Sequence, residues 1–174
     1  NVPQKRERVI IIGVLSTITK IFEYPPISET TILLRDVLTN VPPSIGAVYP
    51  PHKAEVMKLV PPGGCWVNLP KHIQESYLGE KGMAAEGGKR GIARRLSMDE
   101  QSLTLTTSPC QKQTERCHPI ETRPLTVREY ARIQTFPDSY IFCGGMSNQY
   151  KQIGNAVPVE MAFAVATQIK EFLE

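Results

Sequence analysis

The sequence predicts an α/β domain remnant, with one buried strand and one long C-terminal helix, into which a loop-rich, mostly β small domain is inserted. Near the N-terminus, "VIIIGV" (residues 9–14) is a continuous apolar run, typical of a strand buried on both faces of a parallel sheet. After Pro158, apolar side chains recur at helical spacing over residues 161–173 and indicate an amphipathic helix. With 15 prolines and 12 glycines in the chain, the region between these ends is expected to consist mainly of loops.

The N-terminal strand needs neighbours that the rest of the sequence does not offer, so we expect the sheet to be incomplete. Residues 30–38, "TTILLRDVL", carry leucines and a valine on one face and predict a short helix. Residues 40–72 form a loop interrupted by prolines, and residues 102–108, "SLTLTTS", alternate as a strand does. The chain begins at Asn1 and soon reaches a strand, which favours one part of a longer or split protein.

The C-terminal third contains the clearest local signals. In "TVREYARIQ", Thr126 and Glu129 have the spacing of a capping box, and the helix that they begin is expected to end near Gln134. Arg128 and Arg132 are expected to tie this helix to the region that precedes it.

Composition excludes several classes of protein. The net charge of +3 does not by itself indicate nucleic-acid binding, the apolar run at residues 9–15 is too short to cross a bilayer, and no signal peptide is visible. The four cysteines and three histidines lack the spacing of metal ligands, so no metal is expected. We therefore expect free thiols, a reducing cytosol and no membrane partner.

Three segments, in this order, resemble the C-terminal part of bacterial DNA cytosine-5 methyltransferases. "VPQKRERVIIIG" resembles their Gln-x-Arg-x-Arg motif and the following strand, "RPLTVREYARIQTFPDSY" the motif that closes their target-recognition region, and "QYKQIGNAVPVEMA" their last motif. The resemblance implies the end of a catalytic domain at residues 1–24 and a target-recognition domain at residues 25–122. Residues 123–174 would then contain the helix of the closing motif and a C-terminal helix that returns to the cofactor domain.

The resemblance assigns the catalytic roles to the Gln-x-Arg-x-Arg motif. Methylating C5 of a flipped cytosine spreads negative charge towards O2, and a fixed guanidinium stabilises such charge where it develops. Arg8 would fill this role, while Arg6 would hold the local loop or a phosphate and Gln4 completes the motif. Without the resemblance, the same residues are typical of the solvated, basic start of a strand.

The last motif is expected to contact the cofactor. Asn155 follows Gly154 in a predicted turn before the last helix, and a helix N-terminus favours a carboxylate. The resemblance therefore places Asn155, Ala156 and Val157 at the methionine end of S-adenosylmethionine. A plain Gly-Asn turn is the alternative.

The basic, glycine-rich segment at residues 79–97 is expected to face DNA. Arginine can bind O6 and N7 of guanine in a bidentate manner, and the resemblance favours Arg94 and Arg95 as base readers. Lys89 and Arg90 are expected to contact phosphates. For these basic residues the alternative is a flexible solvated loop. Thr104 and Thr106 in the predicted strand at residues 102–108 are further candidates, and for them the alternative is an ordinary core strand. The candidate DNA contacts are Lys89, Arg90, Arg94, Arg95, Thr104 and Thr106.

The tripeptide Pro109-Cys110-Gln111 matches the family's nucleophile loop in composition but not in position. The family carries its Phe-x-Gly-x-Gly cofactor loop, its Pro-Cys nucleophile and its Glu-Asn-Val motif before the Gln-x-Arg-x-Arg motif, whereas Cys110 lies more than a hundred residues after Gln4. We therefore expect that Cys110 is not the nucleophile. The chain alone is expected to be inactive until a complementary N-terminal chain or segment supplies these motifs.

The leading hypothesis is the target-recognition and C-terminal portion of a restriction-modification cytosine-5 methyltransferase. Its partners would be double-stranded DNA with a flipped cytosine and S-adenosylmethionine shared with the missing catalytic part. A DNA-binding module without methylation activity is the alternative. A self-sufficient thiol enzyme based on Cys110 is a third hypothesis, which lacks a convincing histidine partner because nothing in the sequence orients His118.

Overall fold

A computed structural model describes residues 1–78 and 90–174 of the chain. Within these residues, two very short strands, β1 (Gln4–Lys5) and β2 (Ser102–Leu103), pair in parallel. The helices are, in chain order, α1 (Leu34–Val37), α2 (Pro51–Lys58), α3 (Lys71–Leu78), α4 (Val127–Ile133), α5 (Met146–Asn155) and α6 (Val159–Leu173).

Helix α4 begins and ends where the local sequence signals predict. The Thr126 hydroxyl accepts a hydrogen bond from the N–H of Glu129, and the Glu129 carboxylate accepts one of 2.7 Å from the N–H of Thr126. This capping box satisfies two donors that a helix start would otherwise leave unpaired. The helix ends at Ile133 with Gln134 as its C-cap, which confirms the predicted boundary.

The main hydrophobic cluster surrounds α4, which packs against α1 and α5. The rings of Tyr130 and Tyr150 meet edge to face, with centroids 5.1 Å apart. Gly154 packs so closely against the backbone of Thr106 that a Cβ atom at this position would lie 2.3 Å from the Thr106 carbonyl oxygen. The buried members are Leu34, Leu38, Leu96, Leu105, Leu125, Val127, Tyr130, Ala131, Ile133, Phe142, Tyr150 and Ile153.

A second cluster lies within residues 25–122, the region that was predicted to be an insertion and is called the inserted region below. Its core combines α2 with segments that lack regular structure and are joined by isolated bridges such as Arg95–Cys117. In the described part of residues 25–122, short helices and loops therefore predominate over the mostly β structure that was expected. The buried members are Tyr49, Met57, Val60, Leu69, Ile92, Ala93 and Cys117.

The apolar run at residues 9–14 differs from its prediction. It has no regular structure, and Val9 and Ile11 are 89% and 86% exposed. A strand of a parallel sheet needs partners for its N–H and C=O groups, and among the described residues the only sheet consists of β1 and β2. Of the predicted helix at residues 30–38, only the single turn of α1 is helical. Of the predicted strand at residues 102–108, only β2 is a strand.

The C-terminal helix forms as predicted, but the Gly-Asn pair has a different place. Gly154 and Asn155 close α5, and the chain turns at Ala156 and Val157 before Pro158 caps α6. Much of the apolar face of α6 stays exposed, including Phe163 at 71%. None of the helices in the described residues is long and apolar enough to pass through a membrane.

The carboxylate of Glu129 also joins the capping box to an ion pair. Both of its oxygens accept hydrogen bonds from Arg123, at 2.7 and 2.8 Å. Burial by itself would raise the pKa of Glu129, but the bonds from Arg123 and from the Thr126 N–H hold that pKa below its ordinary value of 4.5. The ionised form of Glu129 therefore stabilises the fold.

We predict that Glu129→Gln lowers the free energy of unfolding at pH 7 by about 1.5–3 kcal/mol, the range for hydrogen bonds to charged groups. Because the folded-state pKa is depressed, this stabilisation is present above pH 4.5 and is lost as the pH falls through the folded-state pKa. Urea unfolding of the 174-residue chain between pH 3 and 7 measures the difference.

Glu121→Gln is the matched control, since the side chain of Glu121 also pairs with Arg123 but is 58% exposed. It should change stability by less than about 1 kcal/mol. A loss for Glu129→Gln that is the same at every pH would contradict the assigned role of its charge.

Candidate functional site

The N-terminal segment and the turn between α5 and α6 meet on one side of the molecule. Arg6 donates to the carbonyl oxygen of Gly154 at 3.1 Å and to that of Leu105 at 3.4 Å. Gln4, two residues earlier, is buried and donates to the side chain of Gln134 at 2.9 Å. Residues that are far apart in the sequence are thus brought together by hydrogen bonds rather than by a sheet.

A groove of about 520 Å³ runs between these two segments. Its polar lining residues are Arg6 and Arg8 from the N-terminal segment and Asn155 from the turn, and the rest of its lining is apolar. The structure therefore brings predicted catalytic and predicted cofactor residues to one cleft. The lining residues are Arg6, Arg8, Val9, Ile10, Asn155, Ala156, Val157, Pro158, Met161, Ala162, Val165, Ala166 and Ile169.

The two arginines of the groove differ in their freedom. Arg6 is half-buried and bound to backbone carbonyls, and burial together with the charge of Arg8 lowers its pKa. The side chain of Arg8 is exposed and donates only to the carbonyl oxygen of the adjacent Glu7 among the described residues. Arg6 is therefore a fixed part of the wall, whereas the guanidinium of Arg8 is available to an anionic group in the groove.

The amides expected to meet a carboxylate are partly used within the protein. The N–H of Ala156 bonds to carbonyls of the last turn of α5. At the start of α6, the N–H groups of Val159 and Glu160 bond to the Gln134 carbonyl and the Thr135 hydroxyl. The exposed side chain of Asn155 is thus the more accessible polar group on this wall.

Only part of the predicted DNA surface can be located. Lys89 lies outside the described residues. Arg90 is exposed, and Arg94 is partly exposed and lies 3.5 Å from the carboxylate of Glu100. Arg90 therefore presents charge at the surface, whereas the side chain of Arg94 is only 16% exposed and presents little.

The position of Arg95 differs from the one expected of a base-reading residue. Its side chain is buried, and it donates to the carbonyl oxygens of Val60 and Met57 at 2.7 Å each and to that of His118 at 3.2 Å. A further bond of 3.0 Å goes to the hydroxyl of Thr122. With these donors satisfied inside the protein, Arg95 holds three loops together and has no group left to read a base.

The two threonines also bond within the chain. The hydroxyl of Thr104 donates to the carbonyl oxygen of Lys5 at 2.8 Å, and that of Thr106 donates to the carbonyl oxygen of Ser108 at 3.0 Å. Both side chains keep some exposure. The Thr104 hydroxyl helps to join this region to the N-terminal segment, whereas the Thr106 hydroxyl bonds within the region.

Cys110 lies in the inserted region, away from the groove residues. Burial raises the pKa of its thiol, which is the opposite of what a thiolate nucleophile needs. The four cysteines are free thiols. Within the described residues there is no group of three or more His, Cys, Asp or Glu side chains that could hold a metal ion.

Sequence reasoning missed two buried polar residues that organise the site. Arg116 donates to the carbonyl oxygen of Thr104 at 2.6 Å, and Gln134 bonds to both Gln4 and the end of α5. Gln134 was expected only as the end of a helix. Its position immediately after the apolar stripe of α4, where a side chain turns inward, was the available signal.

Comparison with known proteins defines the class of this chain. The model of the C-5 cytosine-specific DNA methylase family matches residues 1–171, and the chain belongs to that family. Over 99% of its length the chain is 54% identical to the type II methyltransferase M.Eco47II of Escherichia coli and 55% identical to M.Sau96I of Staphylococcus aureus. It is 31% identical, again over 99% of its length, to M.MthTI of Methanothermobacter thermautotrophicus.

The chain spans only part of these relatives. It covers 43% of M.Eco47II, 41% of M.Sau96I and 53% of M.MthTI. Family membership confirms the sequence-based resemblance to bacterial cytosine methyltransferases.

We predict that Arg95→Met destabilises the chain by at least about 3 kcal/mol, because several buried carbonyl oxygens lose their donor. Arg94→Met, at a partly exposed side chain with one long ion pair, should cost less than about 1 kcal/mol. Urea unfolding of the two variants measures both values. Equal, small losses would show that the hydrogen bonds of Arg95 contribute little to stability, and Arg95 would again be a candidate for reading a base.

Proposed function

We propose that this chain is the target-recognition and C-terminal portion of a type II DNA (cytosine-5) methyltransferase of a restriction-modification system. Completed by its N-terminal catalytic portion, it would methylate cytosine in duplex DNA with S-adenosylmethionine as methyl donor. One observation carries the proposal. In a member of this family, Arg6 and Arg8 line a single groove together with Asn155, Ala156 and Val157.

The exposed guanidinium of Arg8 suits the charge that develops on the base. Addition of a nucleophile to C6 of a flipped cytosine moves negative charge towards O2, and a preorganised cation near O2 lowers the barrier. Arg6 and Gln4 hold the segment that carries Arg8, since both are bonded to residues outside that segment. The chain thus supplies charge stabilisation and orientation rather than the nucleophile.

The groove fits one end of S-adenosylmethionine. This cofactor supplies an activated methyl group, and its methionine end carries both an amine and a carboxylate. The side-chain amide of Asn155 can donate and accept hydrogen bonds, and the backbone at Ala156 and Val157 forms the edge of the same wall. The apolar side chains of α6 offer no partner for the rest of the cofactor, which the completing portion would bind.

A large apolar surface beside the groove supports completion by a further segment. Val9, Ile11 and Leu15 are 74–89% exposed, and Phe163 and Leu173 of α6 are 71% and 76% exposed. Exposed apolar side chains in this number mark an interface. The relatives are more than twice as long as this chain, and their additional length would supply the strands that residues 9–14 need.

The inserted region would read the target sequence. Arg94 is the leading candidate for a base contact because Arg95 is buried, and Arg90 is the leading described candidate for a phosphate contact. Lys89 keeps its proposed phosphate role on sequence grounds alone. Thr104 and Thr106 become secondary candidates, since their hydroxyls already bond within the chain.

We predict that the 174-residue chain alone transfers no methyl group to DNA and that adding an N-terminal portion of a relative restores transfer. In the completed enzyme, Arg8→Ala should lower kcat by about 10²–10³-fold, the usual cost of one donor that stabilises developing charge. Transfer of labelled methyl from S-adenosylmethionine to DNA measures both.

Arg35→Ala is the matched control for lost charge, because Arg35 forms an exposed ion pair with Asp99 far along the chain from the groove. It should leave kcat near the wild-type value. Methyl transfer by the chain alone, or an unchanged kcat for Arg8→Ala, would refute the assigned roles. DNA binding by the completed protein without any methyl transfer would favour a binding module.

We predict that Arg94→Ala costs about 1–3 kcal/mol in binding to the target site and relaxes preference at one base pair, as expected for loss of a bidentate base contact. Arg90→Ala should weaken all sequences alike and reduce the slope of log K against log salt by about one unit. Binding of the completed enzyme to the target and to single-base variants at two salt concentrations separates the two. Uniform weakening by Arg94→Ala would assign base reading to another residue.

A further inference from the structure

Gln134 occupies the junction between α4, α5 and α6. Its side chain is completely buried, and its Nε2 donates to the carbonyl oxygens of Ile153 at 2.8 Å and Ala156 at 3.3 Å. Its own carbonyl oxygen accepts from the N–H of Val159 at 3.2 Å. One residue therefore fixes the end of α5, the turn after it and the start of α6.

The same side chain continues to the N-terminal segment through Gln4. The Nε2 of Gln4 donates to the Oε1 of Gln134 at 2.9 Å, and the Oε1 of Gln4 accepts from the N–H of Leu105 at 2.9 Å. Each amide thus uses both its donor and its acceptor inside the protein, where an unsatisfied polar group would be costly. The pair forms a continuous chain of hydrogen bonds from Leu105 to Ala156.

The next residue, Thr135, is held in an unusual backbone conformation. Its φ of +61° lies in the left-handed region, which is strained for a β-branched residue. In this conformation its hydroxyl donates to the carbonyl oxygen of Gln134 at 2.7 Å and accepts from the N–H of Glu160 at 3.0 Å. Glycine would relieve the strain but would remove this cap from the start of α6.

These bonds determine how the two walls of the groove stand relative to each other. Gln4 begins the segment that carries Arg6 and Arg8, and Ala156 belongs to the turn that carries Asn155 and Val157. Gln134 links these two segments indirectly, and among the described contacts the bond from Arg6 to Gly154 is the side-chain hydrogen bond that joins them directly. A shift of the Gln4–Gln134 pair would therefore move Arg8 away from the cofactor-facing turn.

We propose that Gln134 is a positioning residue for methyl transfer, which holds the wall of Arg8 and the wall of Asn155–Val157 in register through its hydrogen bonds to Gln4, Ile153 and Ala156. The assignment rests on the proposed function of the groove. It adds a role for a residue that lines no part of the groove and touches neither base nor cofactor.

The test uses the 174-residue chain completed by its N-terminal portion. Gln134→Met keeps the volume of the side chain and removes its hydrogen bonds, and Gln4→Met does the same on the other wall. Because a displacement of about 1 Å can cost 10²-fold in rate, Gln134→Met should lower kcat/KM for S-adenosylmethionine by about 10–10²-fold in the folded enzyme. Affinity for target DNA should change less than about twofold, since Arg94 is held by other residues.

A double-mutant cycle tests whether the two glutamines act as one unit. The variant with both Gln4→Met and Gln134→Met should be no worse than the poorer single variant in kcat/KM for the cofactor. Gln74→Met is the matched control, because Gln74 also donates to backbone carbonyls, those of Val67 and Leu69, but lies in the inserted region. It should leave kcat/KM unchanged.

The outcomes separate the two proposals. A wild-type completed enzyme that transfers no methyl group would overturn the proposed function and, with it, the role of Gln134. An active wild type with an unaffected Gln134→Met variant overturns the positioning role alone. The same holds if Gln134→Met only lowers the folded fraction, measured by circular dichroism, with cofactor kcat/KM and DNA affinity per folded enzyme unchanged.

Discussion

The hydrogen bond between Gln4 and Gln134 is the constraint on which the arrangement of this chain depends. It joins residues 130 positions apart, and both side chains are buried. A buried amide that loses one partner leaves donors and acceptors unpaired on both sides, so neither segment can move without cost to the other. The N-terminal segment, the segment of Leu105 and the turn at Ala156 consequently form one unit, although each contributes little regular structure.

Guanidinium groups play a similar part in the inserted region. Arg95 satisfies carbonyl oxygens at the end of α2 and in the loop at His118. Arg116 satisfies that of Thr104, and Arg132, from α4, satisfies those of Val37, Thr39 and Asn40. Backbone carbonyls that a sheet would pair are here paired by side chains. Arginine side chains can thus hold a loop-rich region together, and not every arginine in the sequence lies at the surface.

Local signals in the sequence predicted the local features of the fold. The capping box of Thr126 and Glu129 and the end of α4 depend on neighbours a few residues away, and both were predicted. Arg95 could not be placed, because its acceptors lie 23–38 residues away and are mostly backbone atoms without a sequence signature. The run at residues 9–14 has the composition of a buried strand, but composition does not supply the strands that would pair with it.

The groove shows why its residues were easier to predict than its geometry. Arg8 and Asn155 belong to motifs whose order resembles that of a known family, so their types pointed to charge stabilisation and cofactor contact. Both segments are bonded to Gln134, whose single amide meets Gln4 and the end of α5 and whose carbonyl oxygen meets the start of α6. A side-chain amide offers both the donor and the acceptor that the two walls require, whereas a carboxylate or an apolar side chain does not. The alignment of the two walls of the groove therefore depends on a residue outside it. Under the proposed function, base recognition would depend instead on the loops that Arg95 holds, so the two proposed roles of the chain would rest on separate sets of hydrogen bonds.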